Sequence, residues 1–90
     1  DYIVRNNIGG VILMGRNCES PAQVRELVSQ IQSLRHKMPD KAPLFVSIDM
    51  EGGRVARLKA PFTQWPPVGR LGTLDSTAVA FKYAYFMGLE

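Results

Sequence analysis

The spacing of apolar and polar residues in the first half of the chain predicts a strand, a helix and a second strand. Residues 8–15 and 42–48 are short, nearly continuous apolar runs, which is typical of strands buried on both faces of a parallel sheet. Between the runs, apolar residues recur at helical spacing, at Val24, Leu27, Val28, Ile31 and Leu34. Ser20, Pro21 and Gln23 supply an N-cap, a first-turn proline and a capping-box partner. The sequence therefore predicts a βαβ crossover with parallel strands.

The second half of the chain has no such clean period. Residues 51–76 are rich in glycine and proline, so we expect a long connection that is functional or carries small elements of its own. Ser76 or Asp75 then caps an apolar segment, residues 77–90, which predicts a largely buried helix. Residues 1–7 are typical of a helix end, and no stop signal follows the last helix. We therefore expect the chain to be truncated at both ends.

Two parallel strands and two helices are too few for a closed α/β domain. They leave the outer sheet edges unpaired and cannot cover both faces of the sheet. We therefore expect a piece of a larger α/β domain, either a (β/α)8 barrel or a doubly wound sheet. Both architectures bind their ligands at the carboxyl ends of the parallel strands, where the βα connections project.

Composition narrows the classes of function. The 90 residues carry a net charge of +3, but the basic residues are scattered without interleaved aromatics, so we expect no nucleic-acid partner. No apolar run approaches the roughly 20 residues of a membrane helix, so we expect no membrane partner. Cys18 has no second cysteine to bond, and neither Cys18 nor His36 has the neighbours of a catalytic group. The absence of metal-ligand and nucleotide-binding motifs predicts no metal and no cofactor.

Two carboxylates and a glycine pair directly follow the second predicted strand, in the stretch SIDMEGGRVAR of residues 47–57. Asp49 and Glu51 are two positions apart, so in extended backbone they point to the same side, where they suit a shared metal or acid–base chemistry. Gly52 and Gly53 permit a sharp turn and a close approach of backbone to a ligand. The stretch is therefore the candidate functional site.

Two arginines, Arg54 and Arg57, complete the same stretch. They could neutralise the carboxylates or hold a ligand oxygen with several donors. In a purely structural alternative, Asp49 caps the loop and Glu51 pairs with one of the arginines. We interpret Asp49 as functional and expect the charges of Glu51 and Arg54 to orient the turn, while both interpretations stay open for Arg57.

Four stretches, in this order, resemble the N-terminal part of family 3 glycoside hydrolases, specifically the bacterial β-N-acetylglucosaminidases. They are GGVILMGRN (9–17), SPAQVREL (20–27), IDMEGGRVARL (48–58) and FTQWPP (62–67), and together they cover most of the chain. The resemblance implies that residues 1–90 are the N-terminal portion of a single TIM-type (β/α)8 barrel.

The resemblance also implies an activity and two binding residues. It implies a retaining exo-hydrolase that removes terminal N-acetylglucosamine from peptidoglycan-derived muropeptides in the bacterial cytoplasm. The aspartate of the family motif D-x-E-G-G-R, which binds hydroxyls of the terminal sugar, falls on Asp49, and a second substrate-binding position falls on Arg57. A carboxylate can accept from two sugar hydroxyls at once and so fix the ring. The residues that would support this site are Glu51, Gly52, Gly53 and Arg54.

The family's nucleophilic aspartate and its histidine-containing loop, of the K-H-F-P-G-H-G kind, lie further along the chain, so we expect no catalytic residue in this segment. Met50 stands where glutamine is usual, and Met14-Gly15 replaces a more aromatic pair. Two other functions remain open. One is a metal-dependent barrel lyase or aldolase with Asp49 and Glu51 on a magnesium ion. The other is a non-catalytic sugar-binding barrel.

Overall fold

The computed structural model describes residues 2–90. Its helices are α1 (Tyr2–Arg5), α2 (Pro21–Ser33), α3 (Gly69–Leu74) and α4 (Thr77–Leu89), with 3₁₀ turns at Gly15–Asn17 and Leu34–Lys37. Its strands are β1 (Gly10–Leu13), β2 (Phe45–Ile48), β3 (Met50–Gly52) and β4 (Val55–Ala56). The connection predicted over residues 51–76 thus contains small elements of its own.

The predicted crossover is confirmed. Strands β1 and β2 pair in parallel, from Gly10 opposite Phe45 to Leu13 opposite Ile48, and α2 connects them. Gly10 fits closely in this pair, because a Cβ built on it would lie 2.9 Å from both the Cβ and the carbonyl oxygen of Phe45. The chain is therefore a partial α/β domain with a parallel sheet.

Side chains form hydrogen bonds to the backbone near both ends of helix α2. The Ser20 hydroxyl accepts from the Gln23 N–H at 3.2 Å, which confirms the predicted N-cap. The Gln23 side chain accepts from the Glu19 N–H at 2.9 Å, one residue before the position that a capping box requires. Near the other end of the helix, the Gln32 amide donates to the Leu44 carbonyl and accepts from its N–H, at 2.7 and 3.1 Å. These two bonds tie the helix to the start of β2.

The prediction that both strands are buried on both faces is wrong. Leu13 is buried on the face that α2 covers, whereas Ile12 and Phe45 are 54% and 85% exposed. Exposure alternates along β2, from Phe45 to Ile48. The physical reason is that α2 packs on one face only, and no element within residues 2–90 covers the other.

Helix α4 is confirmed as a helix but not as a buried one. The Ser76 hydroxyl caps it by accepting from the Val79 N–H at 3.3 Å. Phe81 and Phe86 are 71% and 57% exposed, and only one side of the helix, with Tyr83, is half-buried. The sequence is apolar all round, so its composition does not distinguish a covered side from an open one.

The open faces leave the chain with an unusually large surface. Its accessible area is 6682 Å², whereas a compact monomer of 10.0 kDa exposes about 5,200 Å². Exposed large apolar side chains lie on the uncovered side of the sheet and on α4. None of the helices within residues 2–90 combines the length and the apolar character needed to cross a membrane.

Candidate functional site

The charged stretch that follows β2 folds into a short antiparallel hairpin, which we call the motif hairpin (residues 50–56). In this hairpin Met50 of β3 lies opposite Ala56 of β4. Asp49 directly precedes β3 and Arg57 directly follows β4, so both flank the open end of the hairpin. Periodicity could not have revealed this pairing, because strands of three and two residues are too short to show a period.

The open end of the hairpin lies at the carboxyl edge of the parallel sheet. Asp49 follows Ile48, the last residue of β2. Arg57 lies beside Gly15, just beyond the end of β1, because a Cβ built on Gly15 would be 3.9 Å from the Arg57 Cδ and carbonyl oxygen. Since β1 and β2 are adjacent and parallel, the two predicted binding residues lie at the same edge of the sheet. We call this the binding edge (Asp49, Arg57).

The two side chains of the binding edge differ in exposure. Asp49 is exposed, whereas Arg57 is half-buried and its Nε is buried without a hydrogen-bond partner. A buried N–H left unpaired costs about 1–3 kcal/mol, so the hydrogen-bonding capacity of Arg57 is not fully used within residues 2–90. Within residues 2–90, no lysine or arginine nitrogen lies within 4.0 Å of the Asp49 or Glu51 carboxylate oxygens.

The glycine pair lies at the turn of the motif hairpin, where Gly52 ends β3 and Gly53 and Arg54 form the turn itself. Gly52 and Gly53 have φ angles of +73° and +56°, a region that side chains with a Cβ rarely adopt, which confirms the predicted turn. The side-chain position of Gly52 is filled by the Pro66 carbonyl, with which a Cβ would collide. A Cβ on Gly53 would lie 2.7 Å from the Pro67 Cγ. The backbone and side chains that approach Gly52 and Gly53 closely therefore belong to another segment of the chain.

That second segment, residues 65–68, is the Trp-Pro segment. The Gly53 N–H donates to the Trp65 carbonyl at 3.3 Å, and the Val68 N–H donates to the Glu51 carbonyl at 2.9 Å. The side chains of Glu51 and Arg54 are exposed. Glu51 therefore supports the hairpin through its backbone, a contribution that its side-chain type could not reveal.

A cavity of about 410 Å³ lies between the covered face of the sheet, α2 and α4. Its wall includes Leu13, Val28, Ile48, Trp65 and Met87. Neither Asp49 nor Arg57 lines it. The wall is mainly apolar, so this cavity is a space between packed layers, and the polar chemistry lies at the binding edge.

Comparison with known proteins identifies the family of the chain. Residues 1–90 match the sequence profile described as the glycosyl hydrolase family 3 N-terminal domain. The chain belongs to this family. It is 48% identical over 68 residues to a protein named beta-hexosaminidase from Nitrosomonas eutropha, which covers 76% of the chain and 18% of that relative. It is 43% identical over 94 residues to beta-hexosaminidase A from Pseudoalteromonas piscicida, which covers all of the chain and 16% of that relative.

The family 3 chain thus spans less than a fifth of the length of these relatives. A protein named beta-hexosaminidase from Pseudomonas aeruginosa is similar as well, at 48% identity over 59 residues, with 66% of the chain and 16% of that relative covered. No solved structure matches the chain at a significant level. The comparisons therefore confirm the predicted family resemblance.

Other chemically active residues of this family 3 chain lie elsewhere. Burial raises the pKa of the Cys18 thiol, so less of the reactive thiolate is present at neutral pH. His36 is exposed in the 3₁₀ turn Leu34–Lys37. In residues 2–90, no three His, Cys, Asp or Glu side chains lie close enough together to hold a metal ion.

Proposed function

We propose that this chain forms the substrate-binding edge of a retaining exo-β-N-acetylglucosaminidase, within a (β/α)8 barrel. The observation that carries the proposal is that Asp49 and Arg57 lie together at the carboxyl edge of the parallel pair. Enzymes with (β/α)8 barrels bind their substrates at that edge. Family membership and relatives named beta-hexosaminidase support a hexosamine as the bound sugar.

In this proposal Asp49 binds sugar hydroxyls and takes no proton from them. Its exposed carboxylate accepts from two neighbouring hydroxyls through charge-assisted bonds, which are about twice as strong as neutral ones. The Arg57 guanidinium, which is half-buried beside Gly15 at the same edge, donates to an oxygen of the same ring. Bonds that tighten as the ring distorts toward an oxocarbenium-like state lower the barrier, so Asp49 also aids catalysis. The nucleophile and the acid/base group come from other parts of the whole protein.

The proposal includes a substrate and a cell compartment. The substrate is N-acetylglucosamine at the terminus of peptidoglycan-derived muropeptides, and the compartment is the cytoplasm. Both rest on the family resemblance. Digestion of purified muropeptides by the whole protein, with mass spectrometry of the products, tests the substrate. Proton NMR of the first anomer released tests retention, because a retaining enzyme releases the β-anomer first.

The central experiment compares two aspartates in the whole protein. Asp49→Asn keeps the shape of the side chain but removes its charge, and we expect kcat/KM for an aryl N-acetyl-β-glucosaminide to fall by about a hundredfold or more. Asp40→Asn is the matched control, because Asp40 is exposed and lies before the start of β2, at the other end of the strand. Similar kinetics in the two variants would contradict the role of Asp49.

Measurements on the same whole protein also test the two alternative functions, a sugar-binding barrel and a metal-dependent lyase or aldolase. A sugar-binding barrel without activity would bind N-acetylglucosamine in a titration but release no aryl group. A metal-dependent lyase or aldolase would lose its activity in EDTA and recover it with magnesium. We expect turnover that EDTA leaves unchanged.

A further inference from the structure

Helix α4 holds the Trp-Pro segment, which in turn packs on the motif hairpin. The Tyr83 hydroxyl donates to the Pro66 carbonyl at 2.6 Å. The Tyr83 and Trp65 rings meet edge to face, with their centroids 4.9 Å apart. The Tyr83 hydroxyl is a protonated donor at neutral pH, and burial raises its pKa further.

A second residue of this region, Glu90, uses both of its carboxylate oxygens on the same part of the chain. Its Oε1 accepts from the Thr63 N–H at 2.7 Å, and its Oε2 accepts from the Trp65 Nε1–H at 3.3 Å. A carboxylate with two donors from one segment fixes the direction of that segment as well as its distance. Tyr83 and Glu90 therefore hold the Trp-Pro segment at neighbouring residues.

The Pro66 carbonyl links α4 to the hairpin. It accepts from Tyr83 and also fills the space that a side chain on Gly52 would need. One residue earlier, the Trp65 carbonyl accepts from the Gly53 N–H. A shift of this segment would therefore move the hairpin turn, and with it the binding edge that flanks the hairpin.

We propose that Tyr83 and Glu90 are positioning residues for the binding edge, acting through the Trp-Pro segment on the motif hairpin. They touch neither substrate nor reacting atoms. The inference rests on the proposed function for what the binding edge binds. The contacts from α4 to the hairpin are independent of that function, so the two can fail separately.

The first test is a pair of identical substitutions on one helix of the whole protein. Tyr83→Phe removes the hydroxyl that donates to Pro66 but keeps the ring against Trp65. Tyr85→Phe is the matched control, because Tyr85 is 54% exposed and its ring contacts Phe81 and Phe86 of its own helix. For Tyr83→Phe we expect KM for an aryl N-acetyl-β-glucosaminide to rise about fivefold, the loss of one neutral hydrogen bond. For Tyr85→Phe we expect unchanged kinetics.

A double-mutant cycle tests the route from Glu90. Glu90→Gln weakens the bond to the Trp65 indole, and Trp65→Phe removes the indole donor altogether. If Glu90 acts through Trp65, the KM effect of Glu90→Gln is largely lost in the Trp65→Phe background. Fully additive effects on KM would overturn this part of the proposal.

Hydrogen exchange, which needs no substrate, tests the positioning role of Tyr83 separately from the proposed function. Hydrogen exchange of the Gly53 N–H, which donates to Trp65, should be faster in Tyr83→Phe and unchanged in Tyr85→Phe. Equal exchange in the two variants overturns the positioning role. Faster exchange with unchanged KM also overturns it, because the hairpin would then move without affecting the site. A wild-type protein that neither binds nor cleaves the glycoside refutes the proposed function, and positioning of a sugar site is refuted with it.

Discussion

The parallel pair β1–β2 and the motif hairpin are neighbouring sheets held by different forces. In the parallel pair Leu13 is buried, and with Val46 it faces α2 across an apolar cavity. The hairpin is polar and exposed on one side, and it is held by backbone contacts with the Trp-Pro segment. The comparison indicates that side-chain burial builds the scaffold, whereas backbone geometry places the site.

Gly52→Ala should have the largest effect, because it disrupts the backbone contact that holds the motif hairpin. The alanine would need a left-handed φ and would collide with the Pro66 carbonyl. We expect a loss of about 3 kcal/mol in the free energy of unfolding of the whole protein, measured by urea denaturation. Turnover of the glycoside should be lost as well.

Gly9→Ala is the control for this substitution. No heavy atom lies within 4 Å of a Cβ built on Gly9, so its free energy of unfolding should change by less than about 0.5 kcal/mol. If Gly52→Ala is as harmless as Gly9→Ala, the backbone contact does not hold the hairpin.

Gly10→Ala should have a smaller effect, because it disturbs the parallel pair β1–β2 and leaves the motif hairpin unchanged. Its Cβ would lie 2.9 Å from the Cβ of Phe45, so the two strands must separate slightly. We expect a loss of about 1–2 kcal/mol in the free energy of unfolding, with KM nearly unchanged. A large rise in KM at this position would show that scaffold and site are not separable in this way.

The same contrast explains what the sequence could predict. The crossover follows from local signals, because a cap at Ser20 and a helical apolar stripe depend on neighbouring residues only. The motif D-x-E-G-G-R identified the charged stretch by resemblance. The contacts between the hairpin and the Trp-Pro segment join residues more than ten positions apart through carbonyls and amides that every residue carries. Burial of α4 was predicted wrongly, because an apolar sequence does not say which of its sides is covered.

A third effect, confined to the scaffold, should follow from Ser20→Ala. The substitution removes the hydroxyl that accepts from the Gln23 N–H at the start of α2. We expect a loss of about 1 kcal/mol in the free energy of unfolding. Ser29→Ala is the control, since Ser29 is exposed within the same helix. An equal loss in both variants would show that the cap is not what stabilises the helix.

The smallest effect concerns the pH dependence of what Glu90 contributes to the free energy of unfolding through its contact with Thr63. The Thr63 N–H, which donates to Glu90 at 2.7 Å, lowers the pKa of the Glu90 carboxyl below its usual value. Because the folded-state pKa is the lower one, the contribution of Glu90 to stability is fully present above the unfolded pKa and is lost as the pH falls through the folded pKa. The carboxylate is exposed and screened by solvent, so this contribution should be smaller than that of the Ser20 cap.

The measurement is the difference in free energy of unfolding between the wild type and Glu90→Gln at several pH values. Because glutamine does not titrate, the difference should be largest at neutral pH and should shrink under acid conditions. Glu26→Gln, exposed on α2, serves as the control for a carboxylate remote from the hairpin. If the difference at Glu90 stays constant with pH, the charge of Glu90 does not stabilise its contact with the Thr63 N–H.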